Sequence, residues 1–400
     1  MVFLVMCAGP AVQVKAQTPA PAGEERINTV RVQSPQETPA WVNAIPDNIC
    51  RFLIEKHLCK NGEVWGLAKA APNARLPYDE QGSSQFLGLV RQYNLFDKVG
   101  GWNDDARQKM IRFWQARQDP ETGRFVDPRD PKRPVNEKYI VGLLAMLNAK
   151  PLYPHTTTSK TGQIEPTLFL QRTKDDPDWA MGGWGVGSHT GLMAMEILGA
   201  VNAGREDLIP AMEKGVEQVL SHQDPKSGLW GPPSAPLAGR LGGTLKVIGR
   251  LYFNAGMAIP HTKELADSLI AYEMNGDFFR SSTNSCIPRN AAEMIAYCLE
   301  ASDYRRTDLL GALARVAEDL HAHVNPDGSL SADRGQEGGV DSAVIYGLGI
   351  CGGYLHWQGC RLSNPLQGAR RGEGYTYRLT LQDGSKVKVL KTAAPPGKSR

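Results

Sequence analysis

The densest run of side chains able to do chemistry lies between Asp175 and Thr190. It reads Asp175-Asp176-Pro177-Asp178-Trp179-Ala180-Met181-Gly182-Gly183-Trp184-Gly185-Val186-Gly187-Ser188-His189-Thr190. Carboxylates beside an imidazole are the groups of general acid–base catalysis. The glycines let backbone close on a ligand, and Trp179 and Trp184 offer flat faces for stacking on sugars. His189 is expected in the first turn of an apolar helix, where the positive dipole end lowers an imidazole pKa and suits a neutral base. The bland alternative is that Ser188 caps this helix and His189 fills the core.

A second cluster is Asp333-Arg334-Gly335-Gln336-Glu337-Gly338-Gly339-Val340-Asp341. Glu337 and Asp341 are spaced i,i+4 and share a face once a helix has begun. A glycosidase needs such a pair, one carboxyl as acid and one as base or nucleophile. Ordinary first-turn capping explains the same residues. Cations recur in comparable loops: Lys69, Arg75, Arg133, Lys138, Arg240, Lys246, Arg280, Arg289 and Arg334. Arginine grips carboxylates in bidentate fashion, which suits a uronate or sulfated glycan. Solvated surface charge is the default for any one of them. Tyr78 is a candidate acid should the chemistry be elimination.

These loops need a scaffold, and a recurring turn supplies one. Helix-like stretches end in Asp-Pro or Asn-Pro, a glycine and an aromatic or apolar residue at 119–125, 224–230 and 325–330. Weaker copies are Asp176-Pro177-Asp178-Trp179, Asn275-Gly276-Asp277-Phe278 and Asn61-Gly62-Glu63-Val64-Trp65. The six turns recur at a period near fifty, the mark of a repeat architecture. Polar first helices are expected near 47–59, 103–117, 164–173, 206–222, 262–275 and 306–323. Apolar, glycine-rich second helices are expected near 79–93, 135–149, 188–203, 242–256, 289–302 and 338–356. Alternating polar and apolar helices predict an all-α, closed (α/α)6 toroid over 45–362, since closure removes the need for polar end caps. From 363 to 400 the reading is a β-hairpin, turning at Asp383-Gly384, and a basic tail.

Composition sets the outer bounds. The 400 residues carry a net charge of +3, too little to imply a nucleic-acid or membrane-surface partner. The apolar run Val2 to Val14 predicts a signal peptide over 1–16, too short to span a bilayer, then a flexible linker over 17–44. Export to the periplasm or outside the cell follows. Six cysteines would remain, with Cys50–Cys59 and Cys351–Cys360 the local disulfide candidates and buried thiols the alternative.

Lys214-Gly215, Val219-Leu220, Gln223 and Gly228-Leu229-Trp230 resemble the Q-to-W repeat of terpenoid cyclases and protein prenyltransferases. Gln115 or Gln118, with Gly123 and Phe125, forms a looser copy. That resemblance implies a toroid in which the glutamine ties an outer helix to its turn. The aspartate-rich acid motif and the zinc set of those enzymes are not evident. In repeat number, length and expected export the chain also resembles the six-hairpin glycosidases and α/α-toroid polysaccharide lyases, a likeness of fold alone. The expectation is an exported enzyme cleaving glycosidic bonds in an oligo- or polysaccharide, by hydrolysis or β-elimination, without metal or other cofactor. Alternatives are an isoprenoid cyclase or transferase and a non-catalytic binding protein. GGWGVG is no dinucleotide fingerprint, having no preceding strand.

Overall fold

The computed structural model describes residues 47–48, 51–59, 64–69, 76–92, 95–156, 158, 163–252, 254–280, 286–321 and 376–391. Within them the chain is mostly helical, with a small two-stranded antiparallel sheet near the C-terminus. The principal helices are α1 (Glu80–Gln92), α2 (Asp104–Gln115), α3 (Glu137–Met146), α4 (Pro166–Asp175), α5 (Trp184–Asn202) and α6 (Ile209–Ser221). They continue with α7 (Leu237–Leu251), α8 (Thr262–Met274), α9 (Cys286–Ala301) and α10 (Arg306–His321). Each coincides with one of the expected helices to within a few residues. Short helical turns cover Leu53–His57, Phe96–Val99, Pro177–Met181 and Asp277–Arg280. The last expected inner helix, 338–356, lies outside the described residues.

The polar helices form for local reasons. In α2, the Asn103 side chain accepts the Ala106 amide at 2.8 Å, and Asp104 and Asp105 face the positive dipole end. Asp105 also pairs with Lys109 one turn on, while Ala106, Met110, Ile111 and Trp114 form the buried stripe. α4 starts with Pro166 in its first turn, where no amide is needed, and ends with Arg172 and Lys174 in its last. In the apolar helices the buried face is broader. α5 buries nine residues on one wide face and leaves the other half-buried, and α7 is buried around its whole circumference from Arg240 to Leu251.

Packing follows that division. α5, α7 and α9 lie side by side in that order, and α1 packs on α3. The polar helices pair among themselves, α4 with α6 and α8 with α10, and each also covers an apolar neighbour. One hydrophobic cluster fills the space among α1 and α4–α10, and a second joins α1 to α2 and α3. α5 and α7 approach closely because of glycine. A Cβ at Gly243 would overlap the Gly182 carbonyl oxygen, and one at Gly242 would strike the Trp184 ring.

Two of the three strong turns share one hydrogen-bond pattern, and the third, at 325–330, lies outside the described residues. Gln118 bridges to Phe125 and Gln223 to Trp230 in isolated antiparallel bridges. Gln118 Nε2 donates to the carbonyls of Gly123 (2.7 Å) and Tyr153 (3.0 Å), and Gln223 Nε2 to those of Gly228 and Pro260 (both 2.9 Å). The glutamine thus ties its turn to the start of the next hairpin. Leu58 and Ala68 bridge in the same way around the first turn. The weaker copies near 177 and 277 are helical instead, as Pro177–Met181 and Asp277–Arg280.

The C-terminal hairpin, β1 (Tyr377–Gln382) and β2 (Lys386–Lys391), is part of the same core. Tyr377, Leu379, Val387 and Val389 are buried against the helices. Asn202 pairs with the Tyr377 backbone, while Glu217 and Glu213 of α6 accept the amides of Val387 (3.0 Å) and Val389 (2.9 Å). Those carboxylates do for the open edge of β2 what a third strand would do. Cys59 is a free, half-buried thiol; its expected partner Cys50, and Cys351 and Cys360, lie outside the described residues. Among the described residues no helix is long and apolar enough to cross a membrane.

Candidate functional site

α5 begins at Trp184, four residues earlier than expected. Gly182 (φ 103°) and Gly183 (φ 78°) take left-handed conformations that turn the chain out of Pro177–Met181 and straight into the helix. Asp178 Oδ2 then accepts the Val186 amide at 2.8 Å and caps the first turn. Two corrections follow. Ser188 is the fifth helical residue and no cap, and His189 stands in the second turn, where the dipole is weaker. Asp178 is engaged at the helix start, so its expected role as acid or base gives way to a structural one.

His189 lines a cleft. The cavity, about 260 Å³, opens between the first turns of α3 and α5, with Arg124, Asn136, Glu137, Lys138, Ser188 and His189 among its walls. That volume is near the lower end for small-molecule sites. Burial holds the His189 imidazole below its usual pKa; the Arg172 guanidinium adds to this, and a hydrogen bond to the Thr158 carbonyl and the nearby carboxylates of Glu196 and Asp176 oppose it. Nε2 is covered and has no hydrogen-bond partner among the described residues, so the Thr158 bond belongs to Nδ1. In this tautomer Nε2 carries the lone pair, which the surrounding protein covers in this structure. The site therefore holds a neutral imidazole.

Glu137 forms the floor. It is the first residue of α3 and only 7% exposed, with Arg124 Nε 2.7 Å from Oε1. Behind it His155 Nε2 approaches Oε2 to 2.8 Å, at an angle too bent for a hydrogen bond. The His155 side chain is 1% exposed and packs edge-on against Phe125. Sequence reasoning missed Arg124, Glu137 and His155 altogether. The available signal was Asn136-Glu137 at the start of α3, the apolar helix that precedes α5 in the chain.

The chain matches no protein-family model, no curated protein and no solved structure. Its chemistry must be read from its own geometry.

The other expected site residues are distributed as follows. Tyr78 belongs to a separate, nearly filled space of about 10 Å³. Its hydroxyl accepts from Arg117 at 3.3 Å, and the Arg129 guanidinium lies 4.1 Å over its ring. Arg133 spans Glu80 and Asp127 in the same cluster. Burial works to raise the Asp127 pKa, but hydrogen bonds from Arg129 and Arg133 outweigh it and bring the pKa down to about 2. With no room for a substrate, Tyr78 is a bracing residue and not an acid.

Trp179 is no stacking platform either. It is 3% exposed, lies flat on His222 at 4.5 Å, and gives its indole N–H to the Arg172 carbonyl. Trp184 is half-buried against Gly242 of α7. Arg240 is 5% exposed and bonded to Asp224 and Ser227, which fixes the turn after α6 to α7. Burial and pairing remove it from substrate contact. Lys246 is half-buried on α7. Arg280 and Arg289 lie on Asp277–Arg280 and α9, with their side chains outside the described residues. Arg334, Glu337 and Asp341 lie outside them entirely.

Of the expected set, the structure therefore brings His189 and Lys138 together, and it adds Glu137 and Arg124. A neutral base beside two cations and one carboxylate can take a proton from carbon or oxygen next to an anionic group.

Proposed function

We propose that this chain is an exported carbohydrate-active enzyme that cleaves a uronate-containing polysaccharide by β-elimination, with His189 as the base. The observation that carries the reading is the juxtaposition of a neutral His189 with Lys138 and Arg124 at the mouth of one cleft. β-Elimination needs a base for the proton on the carbon bearing the carboxylate, and positive charge to stabilise the carbanion that forms. The imidazole must turn so that Nε2, covered in this structure, meets the substrate. His189 takes the proton from C5, the C4–O bond breaks as the C4=C5 double bond forms, and water protonates the departing oxygen. Hydrolysis would call for two facing carboxyl groups. Among the described residues Glu137 is the one carboxylate lining the cleft.

The reading includes a ring of hairpins. The side-by-side order α5, α7, α9 with polar helices outside, and the shared glutamine-tied turns, support closure into an (α/α)6 toroid with the cleft at one rim.

The test is a panel of acidic and neutral polysaccharides, followed by ultraviolet absorbance for an unsaturated uronate and by reducing ends for any cleavage. Elimination predicts both signals on a polyuronate, and their loss by at least about 100-fold in His189→Ala with the fold intact. Reducing ends without absorbance would replace elimination with hydrolysis. An inert panel would refute the carbohydrate reading.

A further inference from the structure

Two asparagines stand at helix starts, and only one of them behaves as a cap. Asn103 has an extended backbone (φ −159°, ψ −179°), and its side chain accepts the Ala106 amide of α2. Asn136 holds the same place before α3 with φ −86° and ψ 79°, and its side chain caps nothing. We propose that Asn136 is a specificity-determining residue of the cleft, reading the ring hydroxyls of the uronate together with Ser188 and so selecting polyuronates whose hydroxyls are unsubstituted. This inference rests on the cleft reading above and narrows it.

The backbone of Asn136 is pinned while its side chain is left to bind. Its amide donates to Glu80 Oε1 at 2.9 Å, and its carbonyl accepts the Tyr139 amide at 3.0 Å. Arg133 holds Glu80 in turn, at 2.7 Å. A ψ of 79° falls short of the extended range from which a side chain reaches first-turn amides. Asn136 lines the cleft instead, and Ser188 of α5 lines it too. Neither side chain has a hydrogen-bond partner among the described residues.

Their chemistry divides the work of the site. Arg124 and Lys138 are suited to the carboxylate, which leaves the ring hydroxyls to the neutral groups. An amide sets an acceptor beside two donors, and a serine hydroxyl does both, so the pair matches neighbouring hydroxyls that also give and take. A site built to bond a hydroxyl rejects the analogue that lacks it, because its own polar groups are then left unpaired. An acyl or sulfate group removes the O–H and adds bulk to a cavity of only about 260 Å³.

Two measurements on the full chain test this. In thermal melts without glycan, Asn136→Ala should leave Tm within about 0.5 °C, while Asn103→Ala, which removes a working cap, should lower it by about 1–4 °C. An equal fall in both would make Asn136 a cap and overturn the proposal. Binding is then followed by calorimetry in the His189→Ala background, which stops turnover, with a uronic acid trimer bearing free hydroxyls and the same trimer fully O-acetylated. Asn136→Ala should weaken the free trimer about 3- to 10-fold, the worth of one neutral hydrogen bond, and Ser188→Ala should do the same. The acetylated trimer should bind at least about 3-fold more weakly than the free one and should not distinguish asparagine from alanine. Equal affinity for the two trimers, or an equal change in both on Asn136→Ala, overturns the proposal and leaves the cleft reading standing. Binding of neither trimer would end the uronate reading itself, and this inference with it.

Discussion

Replacing Gln223 by leucine tests the device on which the hairpin scaffold depends. Gln223 is 6% exposed, and its Nε2 is shared between the carbonyls of Gly228 in its own turn and Pro260 at the entry to α8. Leucine has a similar volume, so the cavity contribution is small and the change isolates the hydrogen bonds. The buried Gly228 carbonyl and the part-buried Pro260 carbonyl lose their donor, at about 1–3 kcal/mol for the first and somewhat less for the second, for a total of about 2–5 kcal/mol. For a body of this size that lowers Tm by about 3–9 °C. Urea unfolding followed by circular dichroism should give a lower midpoint with an unchanged slope. Gln223→Glu should be worse than leucine, because a carboxylate then confronts two carbonyl oxygens. Gln118→Leu breaks three bonds, since Oε1 also accepts the Tyr153 amide at 2.9 Å, and should cost at least as much. Losses under about 0.5 kcal/mol for both leucine variants, the range of ordinary surface substitutions, would refute the tie. So would a glutamate variant as stable as wild type.

Gly243→Ala places a methyl group on the Gly182 carbonyl and must part α5 from α7; a loss of about 1–3 kcal/mol is expected by thermal melt, and a neutral result would show that the interface yields freely. Glu213→Ala with Glu217→Ala removes the acceptors of the Val389 and Val387 amides, so those two protons should exchange faster while the α5 and α7 amides keep their protection; unchanged exchange at β2 would count against the edge-capping role. Burial holds His222 and His189 below the usual imidazole pKa, so the folded chain binds fewer protons than the unfolded chain between their native midpoints and about pH 6.5. Their contribution to stability is complete above about pH 6.5 and is lost as pH falls through the native midpoints. Unfolding free energy should therefore be lower at about pH 5 than at about pH 7.5, with a smaller difference in His222→Gln; equal differences in the two proteins would assign the acid sensitivity elsewhere.

Helix positions were readable because amphipathic periodicity and the Asp-Pro…Gly turn are both local signals, and α2 and α6 carry both plainly. The start of α5 was misjudged for an equally local reason. Four glycines between Met181 and Ser188 read as loop, yet only Gly182 and Gly183 are left-handed, and Asp178 caps the helix across them. The site was less legible. A tryptophan in a glycine-rich loop looks the same whether it will stack on a sugar or, like Trp179, on a buried histidine. A glutamate at a helix start is so ordinary that nothing local marks Glu137, and only the fold brings Arg124 and His155 to it. The docking of the hairpin was beyond reach, since Glu213 and Val389 are 176 residues apart and nothing local links them.

The two glutamine-tied turns also show how one scaffold yields both a brace and a site. Gln118 and Gln223 occupy equivalent places, each tied to the glycine of its own turn and to the next hairpin. Each turn also sends an ion pair to the apolar helix that follows, Arg124 to Glu137 of α3 and Asp224 to Arg240 of α7. The second pair is sealed, its side chains 6% and 12% exposed, and a sealed pair of this kind serves position more than net stability. In the first pair Arg124 is 32% exposed, because the start of α3 stands off from α5 and leaves the cleft between them. Where the neighbouring helices meet glycine to glycine, as α5 and α7 do, no such gap can form. The cleft opens instead at the junction of α3 and α5, on the side of α5 away from its glycine contact with α7. Chemistry then falls to whatever the opened ion pair and the adjacent second turn of α5 present, which here are a carboxylate, two cations and an imidazole.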